Sequence, residues 1–215
     1  MAVSAESLRT RAAKLAAAAR LLKSAGGPLA AKAPFSLAFL TDAARGPAAA
    51  LVARALPAGS ALILRDYGDP RRAARARALA TICAARGVLF FVGVNAELAR
   101  AVGAAGVHLR SDQLRASPQI AREFFITAAC HDADELTLAR AAGADAAFLS
   151  PAFPTASHPN AKTLGADELK RLAARASLPV LALGGVNETN AMRLAGDNVA
   201  GFGAIGAFAA KSFGR

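Results

Sequence analysis

The stretch Leu178-Pro-Val-Leu-Ala-Leu-Gly-Gly-Val186 is typical of a short strand, buried on both faces, that runs directly into two glycines. A second apolar run, Ala200-Gly-Phe-Gly-Ala-Ile205, follows it and also breaks at a glycine. Gly184, Gly185 and Gly206 have no Cβ, so main-chain N–H groups can approach a ligand there. N–H groups that open a helix favour an anion, phosphate above all. Two ordinary strand-to-helix turns are the alternative interpretation.

The same alternation of apolar run, turn and Ala/Leu/Arg-rich segment extends through the chain from Pro34. It predicts eight strands: Phe35–Thr41, Ala61–Arg65, Val88–Gly93, Gly106–Leu109, Phe124–Cys130, Ala146–Ser150, Pro179–Gly184 and Ala200–Ile205. Helices are predicted at Pro47–Leu56, Pro70–Arg86, Ala96–Val102, Asp132–Ala142 and Asp167–Ala176. Strands alternating with helices imply parallel βαβ units. Eight such units predict an α/β fold, a (β/α)8 TIM barrel over residues 34–215.

Three junctions in this pattern resemble one another. Each has a helix end, a glycine and then a buried strand, with Gly103, Gly143 and Gly196 as the glycines. We expect all three glycines to adopt the left-handed conformation that ends a helix.

Residues 1–30 form a separate basic segment. One helical face is apolar, with Leu8, Ala12, Leu15, Ala19 and Leu22, and the remainder is rich in Arg and Lys. We expect an extra amphipathic helix, ended by Gly26-Gly27-Pro28, that packs on the barrel. An organelle transit peptide and a membrane-surface helix are the alternatives.

Composition narrows the class of protein. The 215 residues are 54% hydrophobic, which favours one folded domain, and no apolar run reaches the length of a membrane span. Two cysteines indicate a reducing compartment, so we expect a cytoplasmic protein. The net charge of +11 suits an anionic partner. Scattered arginines, one tyrosine and no tryptophan argue against nucleic acid and favour a small phosphorylated substrate.

Barrel active sites lie at the carboxyl ends of the strands. The polar residues that follow the predicted strands are therefore the site candidates: Thr41, Asp42, Arg65, Asp66, Asn95, Asp112, Gln113, His131, Thr155, Ser157 and His158. His108 lies inside an apolar strand, and we interpret it as part of the barrel interior.

Motifs at these strand ends resemble the thiamine phosphate synthase/TenI family. They are Ala38-Phe-Leu-Thr-Asp42, Leu64-Arg65, Gly103-Ala-Ala-Gly-Val-His-Leu109, Ser150-Pro-Ala-Phe-Pro-Thr155, Leu181-Ala-Leu-Gly-Gly-Val186 and Ala204-Ile205-Gly206. The resemblance implies a (β/α)8 barrel in thiamine biosynthesis. Synthases of this family join a pyrimidine methyl diphosphate to a thiazole phosphate and expel pyrophosphate with Mg2+, and TenI-type relatives include thiazole tautomerases.

The resemblance also assigns roles to residues. Thiazole phosphate is expected at Gly184, Gly185, Gly206 and Thr155. The substrate and its diphosphate are expected at Arg65, Ser157, His158 and Lys162. In the tautomerases a histidine at the position of His131 moves the proton, as an imidazole near neutrality can. A histidine that merely caps the following helix is the alternative.

The chain departs from the family pattern where Mg2+ should bind. Tyr67 replaces a lysine, Gly93-Val94 replaces an Asn-Asp pair, and Gln113 replaces an aspartate that is displaced to Asp112. Val94 offers Mg2+ no oxygen ligand, although Asp112 and Asp66 are candidates for a rearranged metal site.

We therefore expect a divergent, TenI-like enzyme with His131 as proton carrier. The alternatives are an Mg2+-dependent synthase and a non-catalytic binding or regulatory protein. Cys130 lies beside His131, but neighbouring strand residues point to opposite faces, so we expect no Cys–His nucleophile.

Overall fold

A closed barrel of parallel strands forms the protein. The computed structural model describes residues 4–42, 48–116, 123–155 and 162–208. The strands pair in sequence order, and β8 pairs with β1. They are β1 (Leu37–Leu40), β2 (Ala61–Leu64), β3 (Leu89–Gly93), β4 (Gly106–Leu109), β5 (Phe125–Cys130), β6 (Ala146–Leu149), β7 (Val180–Leu183) and β8 (Val199–Ala204). The predicted (β/α)8 class is confirmed.

Helices surround the barrel. They are α1 (Ala5–Ala25), α2 (Gly27–Ala31), α3 (Ala49–Ala55), α4 (Arg72–Arg86), α5 (Ala96–Ala101), α6 (Ser111–Leu114), α7 (Ala133–Ala141) and α8 (Gly165–Arg175). Sequence analysis missed α2 and α6. The glycine-proline break does end α1, at Gly26, but Pro28 also lies in the first turn of α2, a position that suits proline.

Strand alternation divides the buried residues into two layers. Every second strand residue faces the barrel interior: Ala38, Leu40, Ala61, Ile63, Phe91, Ala146, Phe148, Leu181, Leu183 and Ala200. Phe35 joins this layer from just before β1, with its ring centroid 5.5 Å from that of Phe91 in an edge-on contact. Burying each such phenylalanine stabilises the fold by roughly 1.5–3 kcal/mol. The intervening residues pack against the helices.

The apolar face of α1 lies against the barrel. Leu8, Leu15 and Leu22 are buried, and α1 contacts β8 and α3. Ser4 caps the helix by accepting a hydrogen bond from the N–H of Ser7 at 3.1 Å. In the described part of the chain, no helix combines the length and apolar character needed to cross a membrane.

The left-handed glycine caps were predicted correctly at two of three junctions. Gly103 and Gly143 have φ of 64° and 79°. Gly196 does not have a positive φ, and Asn198 takes the left-handed conformation in its place, with φ 65°. Asparagine is among the residues other than glycine that adopt this conformation most often.

The side chain of Asn198 explains why this residue, and not Gly196, has the left-handed conformation. Its Nδ2 donates to three main-chain carbonyls, those of Ala173 at 2.9 Å, Ala176 at 3.2 Å and Leu178 at 2.8 Å. These carbonyls lie at the end of α8 and before β7, so one buried amide satisfies groups that a glycine would leave unpaired.

His108 is the titratable group of the barrel interior. It is 2% exposed, its Nδ1 lies 3.0 Å from Thr127 Oγ1, and its ring meets Phe148 edge-on. Burial, together with the positive charge of Arg65, lowers the pKa of His108 to about 3. The imidazole is therefore neutral in the folded protein, as its interpretation as an interior residue requires.

This burial predicts a pH-dependent stability. The unfolded chain binds a proton at His108 below its ordinary pKa and the folded chain does not, so stability falls as pH falls. From pH 7 to pH 5 this residue should cost about 2 kcal/mol of unfolding free energy. The variant His108→Gln keeps a hydrogen-bond partner for Thr127 but has no titrating group at this position. Between pH 7 and pH 5 its unfolding free energy, measured with urea, should therefore fall by about 2 kcal/mol less than that of the wild-type protein. Equal losses in both proteins would contradict the assignment.

Candidate functional site

The two glycines after β7 are required by a neighbouring loop. Gly184 and Gly185 have φ of 94° and 66°. A Cβ on Gly185 would lie 2.5 Å from the carbonyl oxygen of Pro154, and one on Gly184 would lie 3.1 Å from Pro151 Cα. The loop after β6 also donates the N–H of Phe153 to the Gly184 carbonyl at 3.0 Å. Packing against the loop after β6 is therefore one reason why glycine is required at both positions.

Gly206, after β8, is different. No atom lies within 4 Å of a Cβ built there, and the residue is exposed. It begins a 3-10 turn, Gly206–Phe208, which is too short to supply the helix dipole that the sequence suggested. Any anion at this point would be held by individual main-chain amides.

Those amides are available. Within the described part of the chain, the N–H groups of Gly185 and Gly206 donate to no protein acceptor. The carbonyl of Gly185 accepts from Asn190 Nδ2 at 2.8 Å, which fixes the orientation of the loop. Because Leu183 and Gly203 are register partners, β7 and β8 leave the barrel at the same level, and their glycines open onto one mouth.

The loop after β6 borders this half of the mouth. Thr155 is half-buried at its start and Lys162 is exposed near its end. Its base is fixed by hydrogen bonds from the N–H of Leu164 to the Pro151 carbonyl and of Gly165 to the Ala152 carbonyl, each 3.0 Å. Ser157 and His158 lie outside the described residues.

His131 follows β5 and is held by a carboxylate that sequence reasoning missed. Its side chain is 51% exposed, with Nδ1 2.9 Å from Glu135 Oε2. The main-chain N–H of His131 donates to the same oxygen at 2.8 Å. The cap of α7 is Asp132, whose carboxylate accepts from the N–H of Glu135. His131 is therefore not the capping residue, and the spacing of four residues to Glu135 was the available signal.

Cys130 lies on the other side of β5. It is buried, and its Sγ donates to the Glu135 carbonyl at 3.4 Å. Burial, with the nearby charges of Glu135 and Asp132, raises the pKa of the Cys130 thiol to about 12. A thiol in this state is not a nucleophile at neutral pH.

Arg65 is anchored at the opposite half of the mouth. Its main-chain N–H donates to Thr41 Oγ1 at 2.9 Å, and its Nε donates to the Thr41 carbonyl at 3.1 Å. Outside it lies a cleft of about 530 Å3, lined by Thr41, Asp42, Ala48, Ala49, Asp66, Tyr67, Gly68, Asp69, Arg71 and Arg75. Arg75 contacts Asp66 at 3.1 Å and Asp69 at 2.7 Å across this cleft.

The candidate Mg2+ ligands do not form a site. Asp112 pairs with Arg110 at 2.6 Å and Asp66 pairs with Arg75, so each carboxylate is engaged by a guanidinium. Among the residues that the structure describes, no three His, Cys, Asp or Glu side chains are grouped to hold a metal ion. Val94 adds no ligand and has φ 56°, a strained conformation for a β-branched residue. This donor set does not fit Mg2+.

Fold and mouth together define a (β/α)8 barrel whose candidate site lies at the carboxyl ends of its strands. The model of a family described as thiamine monophosphate synthase matches residues 37–208. The chain belongs to this thiamine monophosphate synthase family.

Comparison with individual relatives supports the same family. The chain is 36% identical over 148 residues to the thiamine-phosphate synthase of Thioalkalivibrio sulfidiphilus, covering 65% of this chain and 70% of that protein. It is 35% identical over 170 residues to that of Acidithiobacillus ferrooxidans, covering 72% and 77%. The structure of thiamine phosphate pyrophosphorylase from Pyrococcus furiosus superposes with a TM-score of 0.72 at 27% identity, covering 84% of this chain and 91% of that one.

Proposed function

We propose that the protein binds a thiazole phosphate with its phosphate at the ends of β7 and β8. The observation that carries this proposal is the pair of amides, Gly185 N–H and Gly206 N–H, that have no acceptor within the described residues and open onto one mouth. Main-chain amides without acceptors are suited to phosphate oxygens, which accept several hydrogen bonds at once.

The surroundings support an anion. Thr155 at the mouth has a hydroxyl donor, and Lys162 lies seven residues further along the same loop. The net charge of +11 attracts anions to the protein as a whole. The open space at Gly206 leaves room for a phosphate to approach the main chain.

His131 is the proposed proton carrier of a TenI-like thiazole tautomerisation. This reaction removes a proton from one ring position and returns one to another, and no group leaves. Hydrogen bonding of Nδ1 to Glu135 at 2.9 Å leaves Nε2 for the substrate and fixes the ring orientation. Glu135 is thus a positioning residue.

The engaged carboxylates favour the TenI-like reaction over the synthase reaction. Expulsion of pyrophosphate with Mg2+ needs oxygen ligands that Asp66 and Asp112, both paired with arginines, do not supply together. Mg2+-dependent pyrophosphate release by the purified protein would establish the synthase alternative, which the names of the relatives favour.

Binding of thiazole phosphate is tested by calorimetry. Gly206→Asp adds a negative charge at an open position and should weaken binding at least about tenfold, since it opposes one charge-assisted contact. Gly68→Asp is the matched control, because it adds the same charge at the same end of the barrel, also with no atom within 4 Å. Folded protein that does not bind the ligand at millimolar concentration, or equal effects of the two variants, would refute the proposed site.

Proton transfer is tested separately by exchange of thiazole phosphate protons in D2O, followed by NMR. His131→Asn should slow tautomerisation by about 100-fold or more, the usual contribution of a general acid–base residue, while affinity changes little. Glu135→Gln should shift the pH profile of the rate. If wild-type protein binds the ligand but does not turn it over, the protein is a binding or regulatory member of the family.

A further inference from the structure

Two peptide groups meet at Gly185, and a donor of the protein holds the carbonyl of each. The Gly184 carbonyl accepts from the main-chain N–H of Phe153 at 3.0 Å, and the Gly185 carbonyl accepts from Asn190 Nδ2 at 2.8 Å. A trans peptide group is planar, so its N–H points away from its carbonyl. The Gly185 N–H shares a peptide group with the Gly184 carbonyl and is therefore turned away from Phe153.

The side chain of Asn190 is fixed at its oxygen as well. Its Oδ1 accepts from the main-chain N–H of Asn187 at 2.8 Å. The Oδ1 of Asn187 accepts in return from the main-chain N–H groups of Asn190 at 3.2 Å and Thr189 at 2.9 Å. The two asparagines thus close a turn before the 3-10 helix Ala191–Leu194. Because a main-chain N–H requires an acceptor, Nδ2 of Asn190 is the atom directed at the Gly185 carbonyl.

The same 3-10 helix also contacts the loop after β6. Arg193 Cζ lies 5.1 Å from the ring centroid of Phe153, within cation–π range. Phe153 in turn donates to the Gly184 carbonyl. One short segment therefore supports both peptide groups at Gly185. Asn190 supports one of them directly, and Arg193 supports the other through Phe153.

This support matters because residue 185 is a glycine. Its φ is 66°, and without a Cβ it has access to many other main-chain conformations. Rotation about the main-chain bonds of Gly185 would move its N–H out of line with the N–H of Gly206. Asn190 opposes this rotation because it holds the peptide group on one side of these bonds, while Phe153 holds the peptide group on the other.

We propose that Asn190 is a positioning residue for the phosphate site. Its Nδ2 holds the Gly185 carbonyl and thereby keeps the Gly185 N–H in the direction that a phosphate oxygen requires. The inference rests on the proposed thiazole phosphate site and adds the group that orders this site before the ligand binds. A loop that is already ordered in the free protein raises affinity, because binding does not have to order it.

The test is calorimetric binding of thiazole phosphate to variants of the full chain. Asn190→Asp keeps the Oδ1 acceptor for Asn187 but replaces the donor to the Gly185 carbonyl with a carboxylate oxygen. It should weaken binding at least about tenfold, because binding must then order the main chain of Gly185. Asn190→Ala also removes the donor, adds no charge and should weaken binding by a similar factor.

Met192→Glu is the charge control for Asn190→Asp. Met192 is 47% exposed and lies two residues further along the chain. Its variant adds the same charge beside the loop and should leave the affinity for thiazole phosphate within about threefold of the wild-type value.

A 1H–15N NMR titration with inorganic phosphate separates positioning from a general effect on stability. The amide signal of Gly185 should shift on phosphate binding in the wild-type protein and much less in Asn190→Ala. The amide signal of Gly206, after the next strand, is the internal reference and should shift in both proteins. A residue that only stabilised the fold would change the thermal unfolding midpoint and not the response of Gly185 relative to Gly206.

Two results would overturn this inference and leave the proposed thiazole phosphate site intact. One is wild-type affinity in Asn190→Ala, which would assign any effect of Asn190→Asp to its charge. The other is an equal response of the Gly185 signal in Asn190→Ala and wild type. Wild-type protein that binds neither thiazole phosphate nor inorganic phosphate would refute the inference and the proposed site together.

Discussion

Closure of the parallel barrel is the constraint on which the rest of the structure depends. Because β8 pairs with β1, the pairing leaves no free sheet edge, and all the strands end at one mouth. Strand alternation then decides which residues face the interior. Phe91 and Phe148 fill the interior, and residues that follow the strands, such as Arg65 and His131, are brought to its carboxyl end. Residues far apart in sequence thus become neighbours through backbone pairing alone.

The mouth has two chemically different halves. At the ends of β7 and β8, glycines expose main-chain amides. At the ends of β2 to β4, Arg72 and Arg110 lie over the ring of Tyr67, and Asp112 pairs with Arg110. The proposed thiazole phosphate site lies in the first half. Among the residues that the structure describes, neither half contains the set of oxygen ligands that a hard divalent cation requires.

Local patterns predicted most of the fold, and long-range contacts account for what they missed. Apolar runs located every strand to within about two residues, because buried parallel strands have few alternatives to an unbroken apolar sequence. Asn198 was missed because its Nδ2 donates to carbonyls at the end of α8 and just before β7, more than 19 residues away in sequence. Glu135 was missed although it follows His131 by only four residues. The packing of Tyr67 on Gly93 was missed because it depends on two neighbouring strands. The sequence showed these residue types but not their partners.

A crystal structure with bound thiazole phosphate is the most direct measurement of the central claim. The account predicts phosphate oxygens about 2.9 Å from the main-chain nitrogens of Gly185 and Gly206. A phosphate found instead among Arg65, Arg72 and Arg110, with the ends of β7 and β8 closed by side chains, would contradict it.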